Sequence, residues 1–253
     1  MILGDSHMKM IFRKIIIIVG LVFIFQILPY FFNSNNIFPS PFSLWLAFVN
    51  NFSSVDIYMH ILSSLQRVLV GFFIASIFGV SLALLIGYYK KIGYCVNPAI
   101  EILRPIPPIA WIPIAILIFG LGDKSSYFIV FLGAFFPIFT NTYFGVISLP
   151  KIYKNVAASF EIKGVAFVKN ILFYFSLPYI FTGLKIGMGM AWMSVIAAEL
   201  IGAQSGLGYF IQINRLLLRV DNIILGMFLI GLIGFLLTKS ISLAEKRVLL
   251  WIK

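Results

Sequence analysis

The residue types that carry enzymatic chemistry are sparse in this sequence. Its only histidines are His7 and His60, its only cysteine is Cys95, and Asp and Glu together number eight among 253 residues. The HExxH, GxSxG and GxxxxGK[ST] motifs are missing from it, so it carries no phosphate-binding loop of its own. A single cysteine forms neither an internal disulfide nor a cysteine metal cluster. The sequence therefore predicts no catalytic residue, no metal site and no cofactor held by this chain, and it is not expected to be an enzyme.

Charge is concentrated instead in one segment, residues 148–177, which separates two long apolar runs. The segment carries four lysines and one glutamate among small and apolar residues: Lys151, Lys154, Glu161, Lys163 and Lys169. Leu-Pro pairs bound it at both ends, which predicts paired short helices or a helical hairpin. Because lysines in short loops resist translocation, we expect the segment to be cytoplasmic. An amphipathic cytoplasmic loop in an otherwise apolar chain indicates a docking surface for a partner protein.

A second unusual stretch packs four prolines into nine residues, 105–113. Proline removes a backbone donor and clashes with the preceding turn, so no regular helix is expected to pass through this stretch. Irregular backbone at membrane depth is tolerated where protein or a water-filled cavity covers it. Two interpretations stay open. The stretch either lines or gates a pathway, with Glu101 and Arg104 near its cytoplasmic end, or it is a kinked interfacial approach to a helix.

The elements that must position these segments are membrane spans. The chain is 61% hydrophobic and 11% charged, with a mean hydropathy of +1.06, whereas a soluble domain is about half apolar and a quarter charged. This predicts an all-α integral membrane protein with about six spans. The net charge of +11 lies mostly beside the spans, where it sets topology and contacts lipid headgroups, so no nucleic-acid partner is expected.

The spans follow from the apolar runs. Residues 1–10 are typical of a cloning remnant or a disordered start, and residues 11–63 are expected to hold a first span, Ile15–Phe32, and an external loop. Five further spans are predicted near residues 65–88, 101–119, 125–147, 178–201 and 223–243. Pro137 is expected to interrupt the fourth span, and the glycine-rich stretch 202–209 to form an outer turn or re-entrant loop. The distribution of lysine and arginine places both termini of this multi-pass protein in the cytoplasm.

Small residues recur every four positions in the second span, at Gly71, Ala75, Gly79, Ala83 and Gly87. Such a face lets helix backbones approach closely, which is what associates helices in lipid. The partner is expected to be a helix of the same subunit or of a second one. A GxxxG pair in the fifth span, at 183–187, predicts similar packing.

Several polar and aromatic residues fall inside or near the predicted spans. Arg67 lies near an outer end, where it is expected to snorkel, and Lys185 lies within snorkelling reach of the inner face. Glu199 is expected either to gate the path or meet an external partner, or else to hydrogen-bond the outer loop. Trp111 and Trp192 are candidates for lining a path, with packing as the alternative.

The proline stretch opens a series of motifs with a shared order. They are RPIPPIAWIP at 104–113, FGLGD at 119–123, FFPIFTNT at 135–142, TGLKIG at 182–187 and AELIG at 198–202, with GLGY at 206–209 and SLQRV at 64–68. The series resembles the permease subunits of binding-protein-dependent ABC importers, in the branch that includes nitrate, sulfonate and taurine systems. The resemblance covers residues 64–253 and implies a type I ABC importer permease core with a cytoplasmic coupling loop at 148–177. It also implies a multi-pass protein of the bacterial inner membrane.

What the resemblance implies about partners is specific. It implies a second permease copy as a homodimer, two ATPase subunits that bind ATP and Mg²⁺, and an extracytoplasmic binding protein. The family's coupling motif is kept here only at Ala157, with Gly164 expected to serve the turn. The predicted coupling residues are Asn155, Ala157, Ala158, Glu161, Lys163 and Gly164. The predicted path residues are Arg104, Pro105, Pro107, Pro108, Trp111, Trp192 and Glu199.

The implied function is to form the translocation path for a small anionic solute, such as a sulfonate, nitrate or taurine-like compound. Arg67 and Arg104 suit an anion path. The alternative is an ion-coupled secondary transporter, which would want intramembrane acids as relays and broken helices in both halves. Only one broken stretch is evident, and Glu101 and Glu199 both fall near span ends.

Overall fold

A computed structural model describes residues 39–250, and every regular element in that range is helical. The helices, in chain order, are α1 (Pro41–Phe52), α2 (Val55–Tyr88), α3 (Lys90–Leu103), α4 (Ile112–Phe119), α5 (Asp123–Ile147), α6 (Lys151–Ser159), α7 (Gly164–Gly202), α8 (Leu207–Leu216) and α9 (Val220–Val248). A 3-10 turn precedes α4, and one turn of α7, Val168–Leu172, is π-helical. The predicted first span and the residues before it lie outside the described residues.

Helices α2, α5, α7 and α9 are long and apolar enough to cross a membrane. A fifth candidate is the pair formed by α3 and the segment Pro108–Phe119, whose axes meet at 89°. The described residues therefore hold four or five spans, and the predicted all-α membrane fold is confirmed. The sharp bend at residues 104–107 agrees with the expectation that no regular helix passes through the proline stretch.

Two prolines that were expected to end or interrupt helices do not. Pro137 lies within α5 and Pro178 lies within α7, which begins already at Gly164. The second short helix predicted for the polar loop is thus the start of the following span. A proline inside a helix deletes one backbone hydrogen bond, and neighbouring helices in a membrane protein compensate for that loss. Here α5 packs against α2 on one side and α7 on the other.

The ladder of small residues on α2 faces α5 of the same chain, which settles the partner that the sequence left open. A Cβ added at Gly71 would lie 2.6 Å from Val130 Cγ1, and one at Gly79 would lie 3.0 Å from Ile138 Cγ2. On the other face of α5, a Cβ added at Gly187 would lie 2.8 Å from Ile138 Cγ1. Both small-residue faces therefore bring helices close enough to exclude any larger side chain.

The outer part of the chain is more helical than expected. The predicted external loop contains α1, whose first turn is capped by Ser40, since Ser43 N donates to Ser40 Oγ at 3.2 Å. Asn51 Nδ2 donates to Asn222 Oδ1 at 2.9 Å, and Asn222 Nδ2 donates to Asn214 Oδ1 at 2.8 Å. This chain of amides ties α1 to α9 and α8. A serine followed by proline is a helix start signal. The sequence nevertheless predicted a loop here, because Asn, Ser and Pro are frequent in this stretch.

Candidate functional site

The polar loop folds into α6, a tight turn and the first residues of α7. The turn closes where Ile162 N donates to Ala157 O at 2.8 Å, with Glu161 in the left-handed region at φ 56°. Gly164 begins α7 with φ 61°, and its N–H donates to Tyr88 Oη at 3.0 Å. A glycine adopts this backbone without strain, which explains its place in the turn. The loop is therefore anchored to the end of α2 and continues directly into a membrane helix.

One side of α6 packs on the bundle and the other is uncovered. Ala157 is 2% exposed and lies in an apolar cluster with Val146, Leu149, Phe167 and Leu172. Another side of α6, extended by the residue that follows it, presents large apolar residues at i, i+4 and i+8, which we call the outward stripe: Ile152, Val156 and Phe160, exposed by 62%, 48% and 74%. Sequence reasoning missed this stripe, although its spacing was visible.

The proline stretch forms a break between α3 and α4. Arg104 follows the last residue of α3, is exposed, and has no carboxylate partner among the described residues. Pro105 and Pro107 are also exposed. After the break, Ile112 and Ala115 are buried against α5 and α7. The backbone of the break is thus exposed while the helix after it is fixed.

Trp111 lies beside the break, and its side chain has an unsatisfied hydrogen-bond donor. Its indole N–H is buried and finds no acceptor within residues 39–250. A buried donor without a partner costs about 1–3 kcal/mol. Within the described part of the chain, the break therefore has exposed prolines and a buried donor without an acceptor.

At the end of the bundle away from the polar loop, which the sequence predicts to be the outer end, a buried arginine and a buried glutamate meet. Arg67 on α2 is 4% exposed and Glu199 on α7 is 1% exposed. Their side chains pair at 2.9 Å between Nη1 and Oε1, and Arg67 Nε pairs with Asp123 Oδ1 at 2.8 Å. Arg67 also donates to Ser205, to the carbonyl O at 2.6 Å and to Oγ at 2.7 Å. Arg67 was expected to snorkel and does not. Three elements supply acceptors for it inside the protein.

The same group caps α8. Glu199 accepts from Ser64 Oγ at 2.8 Å and from Gly208 N at 2.9 Å, and Ser64 Oγ accepts from Leu207 N at 2.8 Å. Gly206 N donates to His60 Nδ1 at 3.1 Å. The amides at the start of α8 thus meet acceptors from α2 and α7, and the positive end of the helix dipole faces the glutamate. We call this group the outer cluster: His60, Ser64, Arg67, Asp123, Glu199 and Ser205.

Glycines at the start of α8 make the outer cluster possible. A Cβ at Gly208 would lie 2.6 Å from Ile196 O, and one at Gly206, which has φ 108°, would collide with the Glu199 carboxylate. The outer turn predicted from the glycine-rich stretch is found at residues 203–206, while the residues after it are helical.

Comparison with known proteins connects this geometry to a transport family. Residues 75–248 match the family described as binding-protein-dependent transport system inner membrane component. The chain belongs to this family. Its members are transporter subunits rather than enzymes, and the family and the apolar helices together make this permease a multi-pass protein of the inner membrane.

Individual relatives support the same family. The permease is 36% identical over 237 residues to a candidate ABC transporter permease protein of Methanocaldococcus jannaschii, covering 92% of this chain and 89% of that one. It is 37% identical over 190 residues to the nitrate import permease protein NrtB of Synechocystis sp., covering 75% and 69%. It is 35% identical over 189 residues to the bicarbonate transport system permease protein CmpB of Synechococcus elongatus, covering 74% and 68%. The predicted resemblance to ABC importer permeases of the nitrate branch is confirmed.

The fold has a match among solved structures. A chain of the MetNI methionine ABC transporter superposes with a TM-score of 0.62 at 19% identity, covering 79% of this chain and 99% of that one. The shared fold extends over nearly all of that chain, so the permease core expected from the motifs is present here.

Two of the predicted path residues form hydrogen bonds within the permease. Glu199 belongs to the outer cluster, and Trp192 is 5% exposed with Nε1 donating to Ile230 O at 2.9 Å. Neither side chain presents appreciable surface to a path in this structure. Lys185, which the sequence placed within snorkelling reach of the inner face, pairs with Glu245 at 2.8 Å and so ties α7 to α9.

The predicted coupling residues also separate by exposure. Asn155, Ala158, Glu161 and Lys163 are exposed, Gly164 is half-buried, and Ala157 is buried against the spans. The residue that keeps the family's motif thus serves to seat α6 on the bundle.

Proposed function

We propose that this permease forms the transmembrane path of an ATP-driven importer for a small anion. Its relatives NrtB and CmpB are named for nitrate and bicarbonate, both small oxyanions. The observation that carries the proposal is the exposed, apolar outward stripe on a loop that continues into a membrane helix. A second copy of the chain, two ATPase subunits and an extracytoplasmic binding protein complete the transporter we propose.

In this proposal the ATPase docks on the outward stripe. Three large apolar side chains at helical spacing form the kind of surface that fills a groove on a partner. Exposed polar residues flank the stripe and supply rim contacts, among them Asn155, Glu161 and Lys163. Movement of the docked ATPase displaces α6, and the adjoining start of α7 passes the displacement on. Helix α7 has 39 residues, which corresponds to about 58 Å, and it ends at the outer cluster.

The path itself is proposed to run along the broken stretch between α3 and α4. Arg104, Pro105 and Pro107 are exposed there, and Pro108 and Trp111 are partly buried. Because the charge of Arg67 is already paired with two carboxylates, Arg104 is the arginine of the two that is available to an anion. Trp192 and Glu199 are proposed to stabilise the helices that support the path without facing the path themselves.

Replacing a residue of the outward stripe tests the docking. The chain would be purified with its ATPase and binding protein from its own host and reconstituted into proteoliposomes. We expect Val156→Asp to abolish ATPase capture and ATP-dependent uptake, because a carboxylate at a buried apolar contact is costly. Val156→Leu keeps the surface apolar and is the matched control, with uptake expected within about twofold of wild type.

The result also separates the two function classes. ATPase capture that survives Val156→Asp would show that docking lies elsewhere on the loop. Uptake by the permease alone, driven by an ion gradient without ATP, would overturn the importer proposal and favour the secondary transporter.

A further inference from the structure

Behind α6, on its side facing the spans, lies a cleft that the proposed function does not use. Two cavities of about 400 Å³ and about 540 Å³ adjoin there. They share Gly87, Val146 and Lys154 in their walls and therefore form one space, which we call the inner cleft. It is bounded by the ends of α2 and α5, by α3, by α6 with its turn, and by the start of α7.

The larger cavity has a distinct chemical character. Its apolar wall includes Ala157, Phe167 and Leu172, whereas its charged residues are Lys154 and Lys163. Neither lysine has a carboxylate within 4.0 Å among the described residues, whose ion pairs involve other cations. This cavity therefore combines two uncompensated positive charges with an apolar back.

Hydroxyl groups in the cleft add further donors. Tyr88 Oη accepts from Gly164 N at 3.0 Å, and Tyr143 Oη accepts from Asn97 Nδ2 at 2.8 Å. Each hydroxyl proton remains to be donated and finds no acceptor in the described part of the chain. Glu101 is the acid that lines the cleft, in the smaller cavity. The larger cavity thus adds the Tyr88 hydroxyl to its two ammonium groups as a donor, and no carboxylate of the described residues lines it.

We propose that the inner cleft binds an oxyanion in its larger cavity. Two ammonium groups and the Tyr88 hydroxyl are donors that match a sulfate, phosphate, sulfonate or carboxylate group. The oxyanion has two possible sources of equal chemistry, a free anion in the cytoplasm or the phosphate of an anionic lipid in the inner leaflet. The apolar wall accommodates an organic part in either case.

Such a ligand would bridge the coupling loop and the spans. Lys154 belongs to α6, Lys163 to the turn, and Tyr88 to the end of α2. A bound oxyanion would hold these three elements together and brace α6 against the bundle. Resting on the proposed function, this makes the inner cleft a site where an anion on the inner side regulates coupling to the ATPase.

Binding is measured on the full-length permease in nanodiscs, separately from transport. With phosphatidylcholine alone and constant ionic strength, we expect sodium sulfate in place of sodium chloride to raise the melting temperature saturably. We expect Lys154→Gln and Lys163→Gln each to raise the half-saturating sulfate concentration at least tenfold. Lys151→Gln and Lys169→Gln change the same loop at exposed positions outside the cleft, and we expect them to bind as wild type does.

A second arm identifies the source of the anion. Nanodiscs with phosphatidylglycerol are analysed by native mass spectrometry, and retention of this lipid that depends on Lys154 would assign the site to a headgroup, with sulfate then competing. A sulfate response that is unsaturable, or equal in all four variants, together with lipid retention indifferent to Lys154, would overturn the proposal. Because neither readout involves an ATPase, this failure is distinguishable from failure of the importer proposal, which the uptake of Val156→Asp reports.

Discussion

The outer cluster and the broken stretch between α3 and α4 both carry an arginine and motifs typical of the family, yet they differ in how far the chain satisfies them. At the outer cluster, Arg67 finds two carboxylates and a serine, and the adjoining helix start finds its acceptors. At the break, Arg104 is exposed and the Trp111 indole N–H has no acceptor among the described residues. A polar group that finds its partners within the chain fixes the local structure. A polar group without such partners is available to bind a molecule outside the chain.

The difference teaches which parts of the permease are expected to move. The outer cluster connects α2, the start of α5, the end of α7 and α8, so we expect these elements to move together. The break connects α3 to α4 through exposed prolines, while α3 packs on the ends of α2 and α5. Relative displacement is therefore expected at the break rather than at the outer cluster.

The largest expected effect comes from Arg67→Met. This change leaves Glu199 buried without its counter-charge, which costs about 3–5 kcal/mol of unfolding free energy. We expect a strong fall in melting temperature and in folded yield, measured in detergent by fluorescence-monitored size exclusion. Arg67→Met/Glu199→Met removes both charges and is expected to recover more than half of the loss. A double variant as unstable as the sum of the singles would contradict the pairing.

A smaller effect is expected from Gly208→Ala, which probes how tightly α8 sits on the outer cluster. The added Cβ meets the carbonyl of Ile196 at 2.6 Å, and overpacking against backbone costs about 1–3 kcal/mol. Gly189→Ala is the matched control, because nothing lies within 4 Å of its Cβ position and alanine is the better helix former. Equal melting temperatures for the two variants would mean that the close approach at α8 is dispensable.

The smallest effect on stability is expected from Arg104→Met, the counterpart of Arg67→Met at the break. Arg104 is exposed and unpaired among the described residues, so its loss should change unfolding free energy by about 0.5 kcal/mol or less. Loss of one charged contact to an anion, about 1.4 kcal/mol, corresponds to a tenfold fall in uptake. Measuring melting temperature and ATP-dependent uptake on one preparation separates these roles. A stability loss comparable to that of Arg67→Met would erase the contrast between the two regions.

The sequence predicted the membrane fold and the family well, because apolar runs and the proline stretch are local signals. It failed where the decisive contact is distant. Arg67 and Glu199 are separated by 132 residues, and only their shared burial could reveal that they pair. The small-residue ladder indicated a close helix contact but not the identity of α5. The outward stripe was readable at its i, i+4 spacing, but the coupling residues predicted from the family's motif do not include Ile152, Val156 or Phe160.

The π-helical turn of α7 has a consequence for rotation. A π turn accommodates one residue more than an α turn at the same place in the helix, and each residue of an α-helix advances the angle by about 100°. Val168–Leu172 lies between the turn that follows α6 and the part of α7 that packs on α5, which begins near Ser176. The azimuth of α6, relative to the face that α7 turns toward α5, is therefore set by a single inserted residue.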